Sequence, residues 1–375
     1  MSQIAKRMTL PVLLFGFCAW VIAQTTGDGW EKTFGVVQHS GSPYPFMVTQ
    51  EVHAGHDLDQ DGNLEFFVVT DHSNPNSGGQ WEEPTGTSVW LYEATGTGTY
   101  ELAWSWFDTT LYTGGASFPP AVVTDMDGDG NQEISLGIPY GSGNPPDGSN
   151  PIRLYVWEGG ASGLPADGTP TATWDFGVSI GTNTRPSSMS AGDIDGDGAQ
   201  EVAIAFRKFS DAAADDAMMI YSLDGSFAGT FTQWNIEMID SSSNVGSVYA
   251  SSITDVDGDG NLEAFFSTDY GSWFEASGAD TYDAYPEHLQ PGLTFWTIHG
   301  SATGDIDGDG SEEHLIGKTN GDLYLISGIT DLATADSTNL VRIMNLAPGG
   351  CRGLVAGDFD GDGYGDVFMG GNYGS

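Results

Sequence analysis

Basic residues are scarce in this chain: ten Lys and Arg stand against 52 Asp and Glu, for a formal charge of -42. A field of that sign disfavours nucleic acid and anionic lipid surfaces as partners. Cysteine is nearly absent. Of the two present, Cys18 lies in an apolar leader, so an exported chain keeps Cys351 alone and forms no intrachain disulfide. A lone thiol of this kind reads as a small buried residue. The staple of a secreted chain this size must then be something else, and a metal ion is the obvious candidate. Long apolar runs are missing beyond Met8–Ala23, which is too short and wrongly flanked to span a bilayer. Lys6 and Arg7 precede it and Val21-Ile22-Ala23 offers a cleavage site before Gln24, while Phe17 ahead of Cys18 argues against a lipoprotein. Residues 1–23 are expected to be a signal peptide and residues 24–375 one secreted domain. Helical periodicity is missing too, as are a His-Glu-x-x-His pair among the seven histidines, a Gly-x-Ser-x-Gly elbow and a phosphate loop. No catalytic set and no organic cofactor are expected.

What the chain has is acid in a fixed pattern, Asp-x-Asp-x-Asp-Gly-x-x-(Glu/Asp), six times over. The copies are Asp57, Asp59, Asp61 and Glu65; Asp125, Asp127, Asp129 and Glu133; and Asp193, Asp195, Asp197 and Glu201. They continue with Asp255, Asp257, Asp259 and Glu263; Asp305, Asp307, Asp309 and Glu313; and Asp358, Asp360, Asp362 and Asp366. Carboxylates at alternate positions, with a glycine turning the chain, wrap hard oxygen ligands around a cation of calcium size. About six Ca2+ ions are expected, chiefly structural, and they would bring the net charge to about -30. An EF-hand is excluded. It needs flanking helices and a Glu at loop position 12, where this chain has Val68, Leu136, Ile204, Phe266, Ile316 and Met369. His53 and His56 lie beside the first loop, within reach of its metal or in plain surface and core roles.

Successive loops begin 68, 68, 62, 50 and 53 residues apart, the period of propeller blades or a solenoid. Their flanks are short β-branched or aromatic runs bounded by glycine, such as Leu64–Val69 and Gln200–Ala205. Third strands are expected at Ser88–Tyr92, Ile152–Trp157, Met218–Ser222 and Asp322–Ile326, and fourth strands at Leu102–Phe107, Thr173–Phe176, Gln233–Glu237 and Asn339–Met344. Trp30, Trp104, Trp174, Trp234 and Trp296 are placed on fourth strands, as blade packing. The fold class is therefore all-β, a single β-propeller of six four-stranded blades, or seven if the chain is a fragment. Trp30–Val37 reads as a strand that completes the last blade and closes the ring, while Val367–Gly370 ends the chain without a clear third strand for that blade. An open edge there invites self-association.

The pattern apolar-x-x-x-Asp-apolar-Asp-Gly-Asp-Gly-x-x-Glu-apolar resembles the FG-GAP and VCBS repeats, known from the integrin α-chain propeller and from secreted bacterial proteins. The chain lacks a clean Phe-Gly and Gly-Ala-Pro signature, Leu136-Gly-Ile-Pro being the nearest relic, and that lack places it nearer the bacterial branch. The resemblance implies that side chains at loop positions 1, 3, 5 and 9 bind the ion. It also implies a backbone carbonyl ligand at position 7, held by Asn63, Asn131, Ala199, Asn261, Ser311 and Tyr364. The apolar second position (Leu58, Met126, Ile194, Val256, Ile306, Phe359) would anchor each loop.

Insertions at Asp71–Thr87, Pro139–Pro151, Arg207–Asp216 and Tyr270–Gly292 fall on the face opposite the acidic loops. They carry Trp81, Tyr140, Trp273, Phe274, Tyr282 and Tyr285, beside Glu82, Glu83 and Asp283. Aromatic faces next to acids suit sugar rings; the same side chains equally serve to pack long loops. The function favoured is a secreted or cell-surface binding and adhesion module for carbohydrate or a surface protein. The runner-up is a structural subunit of an extracellular assembly or filament, and third is a polysaccharide-active enzyme. Propeller polysaccharide lyases with related calcium loops meet acidic sugars with basic residues, and only eight Lys and Arg remain here after the leader.

Overall fold

Strands in this chain start where the acidic loops stop. The structure, a computed structural model, describes residues 47–73, 85–96, 99–108, 119–138, 153–175, 184–208, 218–227, 233–240, 248, 250–267, 272–286, 300–318, 320–345, 351–358 and 363–371. The first sheet holds β1 (Met47–His56), β2 (Glu65–Ser73), β3 (Thr85–Gly96) and β4 (Thr99–Phe107). The second holds β5 (Ala121–Thr124), β6 (Glu133–Gly137), β7 (Leu154–Glu158) and β8 (Ala172–Trp174). The third holds β9 (Thr184–Gly192), β10 (Glu201–Lys208), β11 (Met218–Asp224) and β12 (Gln233–Asp240). The fourth holds β13 (Ser251–Thr254), β14 (Glu263–Phe266), β15 (Ser272–Gly278) and β16 (Thr281–Pro286). The fifth holds β17 (Ser301–Gly304), β18 (Glu313–Gly317), β19 (Asp322–Ile326) and β20 (Leu340–Asn345). Among the described residues the sixth has two strands, β21 (Cys351–Gly357) and β22 (Asp366–Gly371).

Every sheet is an antiparallel meander in chain order. The first strands β1, β5, β9, β13, β17 and β21 stand side by side in that order, so the sheets follow one another face to face as propeller blades do. Five apolar cores fill the five gaps. A sheet covered on both faces has no reason to alternate apolar and polar residues, and the second strands accordingly run almost continuously apolar. Every residue of β6, β14 and β18 is buried. The core between the first and second sheets includes an aromatic group: Trp157, wholly buried, meets Trp104 edge-on at 5.5 Å and Trp106 at 5.0 Å between ring centroids.

The strands expected from the sequence lie where the hydrophobic runs placed them, with one correction in the fourth sheet. Its fourth strand is β16, Thr281–Pro286, so the stretch Tyr270–Gly292 is largely a β-hairpin and not a loop insertion. Strands β2 and β3 likewise extend to Ser73 and from Thr85, into the stretch expected as an insertion. Trp296, expected on a fourth strand, lies outside the described residues, as do Trp30–Val37 and the ring closure assigned to them.

Candidate metal centres

Each acidic loop joins the first strand of its sheet to the second, and its ninth residue opens that second strand: Glu65, Glu133, Glu201, Glu263, Glu313 and Asp366. The sixth-position glycine takes φ near +90° throughout (Gly62 90, Gly130 93, Gly198 94, Gly260 95, Gly310 93, Gly363 87). That left-handed turn is open to glycine at little cost and strained for other residues. Backbone donors then fold the carboxylates inward. The N–H of residue 2 donates to Oε2 of the ninth-position glutamate in the five loops from Leu58 to Ile306, at 2.6, 2.7, 2.6, 2.7 and 2.8 Å. The glycine N–H donates to Oδ2 of Asp57, Asp125, Asp255, Asp305 and Asp358 at 2.9–3.1 Å. The N–H of Asn63, Asn131, Ala199, Asn261 and Ser311 holds the fifth-position aspartate at 2.7–2.8 Å.

The loops are also seams between sheets. Leu58, Met126, Ile194, Val256 and Ile306 insert into the core shared with the following sheet, not into their own blade alone. The third-position aspartate reaches the same way. Asp127 Oδ2 accepts from Phe227 N at 2.6 Å and Ser226 Oγ at 3.0 Å, in the turn after β11 of the next sheet. Asp195 Oδ2 accepts from Asp280 N at 2.8 Å, and Asp257 Oδ2 from Leu332 N at 3.2 Å. Each donor sits in the turn between the third and fourth strands of the following sheet. At the first seam the contact is backbone to backbone, Gly160 N donating to Leu58 O at 2.7 Å. The chain there is so close that a Cβ on Gly159 would lie 2.3 Å from the Leu58 carbonyl oxygen.

Whether a cation fits is decided by the oxygens left over. In the first, second and fourth loops four carboxylates each offer an oxygen within 4.8 Å of the others, and in the third loop Asp193, Asp195 and Asp197 do so. Among these, Oε1 of Glu65, Glu133 and Glu263 and Oδ1 of Asp57 and Asp193 are buried without a hydrogen-bond partner. Buried unpaired carboxylate oxygens cost several kcal/mol unless a charge compensates them, about 1–3 kcal/mol or more each. An oxygen-only, carboxylate-rich donor set suits a hard divalent cation of calcium type. Phe359, Asp360 and Asp362 of the sixth loop lie outside the described residues.

Burial pushes the ninth-position carboxyls up, with help from the neighbouring aspartate charges and against the pull of the residue-2 N–H. Glu65 rises to about 7, Glu201 and Glu263 to about 8, and Glu133 to about 9; Glu313 moves the same way. A carboxyl whose folded pKa exceeds its unfolded value near 4.5 keeps its proton better in the folded chain. Calcium-free protein should therefore lose stability as pH rises from about 4.5 through the 7–9 range, and regain it on acidification. Calcium favours the ionised form and should reverse that slope. Melting curves in calcium-free buffer at about pH 5 and about pH 8 check the sign; a calcium-free chain more stable at the higher pH would contradict it.

The aromatic residues expected to form a ligand face are placed otherwise. Trp273 (1% exposed) and Phe274 (3% exposed) are core residues of β15, because the hairpin they belong to is sandwiched between neighbouring sheets. Tyr282 packs on the core between the third and fourth sheets and donates its hydroxyl to Glu237 at 2.6 Å. Tyr285 packs on the next core. Trp81 and Tyr140 lie outside the described residues. His53 stacks on Phe67 with centroids 4.6 Å apart and bonds Glu51 through Nε2 at 3.1 Å. Burial, then His53, lowers the pKa of His56. Acids outside the motif also crowd the loops, namely Glu93, Glu158 and Glu275 on third strands, and Glu237 and Asp280, which lie within 4.8 Å of Asp195. Nothing in linear spacing singled them out, since strand pairing alone brings them there.

The family profile of the FG-GAP-like repeat matches residues 57–136, from the first loop into β6. No curated protein sequence matches the chain. Among solved structures, a rhamnogalacturonan lyase PL11 of Bacillus licheniformis aligns with a TM-score of 0.44 and 15% identity, over 87% of this chain and 70% of that one. An exotype rhamnogalacturonan lyase, YesX, aligns at 0.40 and 13% identity, over 82% and 66%. The Dos1 propeller aligns at 0.40 and 10% identity, over 88% and 80%.

Proposed function

We propose, from an FG-GAP-like repeat at residues 57–136 whose loop recurs in the later sheets, that the chain is a secreted, calcium-stabilised β-propeller acting as a binding and adhesion module. The observation that carries the calcium reading is the set of buried, unpaired carboxylate oxygens inside loops otherwise saturated with backbone donors. The ring has six blades, or seven if the chain is a fragment, and closes when Trp30–Val37 joins the last one. Calcium is structural: the loops lie at the seams, where a cation holds both a sheet and its attachment to the next. At the opposite end of the sheets the second strands stop and the third strands begin, at Ser73 and Thr85 in the first sheet and at Gly137 and Leu154 in the second. A carbohydrate or surface protein engages that end, with Trp81 and Tyr140 as its remaining aromatic contacts. The test is calcium calorimetry on the chelated chain, followed by glycan-array and surface-protein binding in calcium. Uptake of about six ions supports the reading, and no uptake overturns it. Binding lost on Trp81→Ala or Tyr140→Ala supports the contact face; binding unaffected by both moves it elsewhere.

A structural subunit is the second reading, supported by the apolar faces at the two ends of the row. Val355 (55% exposed) and Phe368 (50% exposed) pair across β21 and β22. They face away from the fifth sheet, since Ala356 and Val367 occupy the face packed on it. At the other end Val52, 48% exposed, pairs with Val68 on the face of the first sheet opposite Phe67. Joined within one chain, these faces close a ring; joined between chains, they build a filament. Concentration-dependent polymers in sedimentation and electron micrographs favour the filament, and a monomer at all concentrations favours the ring.

A further inference from the structure

In three sheets, strand register sets a second glutamate directly against the ninth-position one: Glu65 opposite Glu93, Glu133 opposite Glu158, and Glu263 opposite Glu275. The inner members are 3%, 0% and 0% exposed, while the outer members are half-buried. Directly opposed residues share a face with Cβ atoms about 4.5–5.5 Å apart, and like charges so placed destabilise a sheet. An unfavourable pairing repeated on three sheets calls for a compensating positive charge. The inner glutamates point to where it belongs, because their Oε1 atoms are the buried, unpartnered ones, in the same three loops where four carboxylates converge within 4.8 Å.

The outer glutamates approach those loops from the third strand. Asn63 Nδ2 donates to Glu93 Oε1 at 3.4 Å, and Asn63 also holds Asp61 through the same amide at 2.8 Å. Register likewise sets Glu158 and Glu275 beside their loops, Glu158 near Asp129 and Asn131 and Glu275 near Asp257 and Asp259. The third sheet departs from this plan: there the additional acids near the loop are Glu237 on β12 and Asp280 of the following sheet.

We infer that Glu93, Glu158 and Glu275 are fifth carboxylates of the cation sites in the first, second and fourth loops, adding charge to the bound ion from strands β3, β7 and β15. This deepens the calcium reading above and rests on it. The residues lie 28, 25 and 12 positions after the ninth-position glutamates they oppose and outside the nine-residue pattern, so they set the affinity of three sites through pairing and not through the motif. In the calcium-loaded chain their charge helps hold the ion. In the calcium-free chain the same charge repels the loop.

That opposition in sign is the test. The full-length triple variant Glu93→Gln, Glu158→Gln, Glu275→Gln is titrated with calcium chloride by calorimetry and melted with and without calcium. Three sites should weaken about tenfold, the loss of one nearby unit charge partly screened by solvent. In calcium-free buffer the variant should melt above the wild type. Glu158→Gln alone should weaken one site, which serves if the triple variant fails to fold, and Glu158→Asp should restore most of that affinity. An unchanged isotherm overturns the inference, as does an equal drop in melting temperature with and without calcium, the mark of a purely structural bond. If the wild type itself takes up no calcium, the reading beneath falls with it, a result distinct from a wild type that binds and variants that bind alike.

Discussion

Removing calcium is expected to lower the melting temperature by on the order of 10 °C. At a free concentration tenfold above Kd, each site adds about 1.4 kcal/mol if the unfolded chain does not bind. Six loops then contribute roughly 8 kcal/mol, comparable with the whole stability of an ordinary domain, about 5–15 kcal/mol. The loops are well placed to deliver this. Their second residues fill the cores between sheets, and three third-position aspartates bond the next sheet's backbone. A loop that spreads under its own charge therefore loosens two sheets at once. Calorimetric scans with and without chelator decide the matter, and identical transitions would reject a structural role for the ion.

Asp127→Ala should be the most damaging single carboxylate loss, at about 3 kcal/mol by urea denaturation in calcium. This side chain has two tasks. Oδ1 receives the N–H of Asp129 at 3.2 Å within the loop, while Oδ2 holds Phe227 N and Ser226 Oγ of the third sheet. Truncation removes a ligand and both attachments, so calcium stoichiometry should fall by one while the second and third sheets separate more easily. Asp129→Ala is the comparison. Its Oδ1 and Oδ2 bond Asn131 alone, within the loop, so it should cost the ion and leave the seam intact. Equal stability losses in the two variants would show that the bridge to the third sheet contributes nothing.

The repeat, the strands around each loop and the convergence of Asp57, Asp59, Asp61 and Glu65 were legible because they are local. Alternation of carboxylates over nine residues puts them on the inside of one turn whatever surrounds it, and Val68 and its equivalents at position 12 ruled out the helical alternative. Trp273 and Phe274 show where local reading fails. Flanked by glycines and acids, they looked like an insertion, yet they pair with Phe265 and Ala264 in β14 and are buried on opposite faces. Burial on both sides comes from two neighbouring sheets, a circumstance no single stretch of sequence records.

The chemistry of each loop, the spacing of the units and the all-β character are written along the chain, since all three follow from residue type and short-range order. Tertiary structure decided which carboxylates meet between strands and between sheets. Glu133 opposes Glu158 only through register, and Asp127 meets Phe227 only because one sheet packs on the next, a hundred residues on. Such contacts depend on how separately written strands are stacked, and stacking is set by the shared apolar cores rather than by the polar residues it brings together.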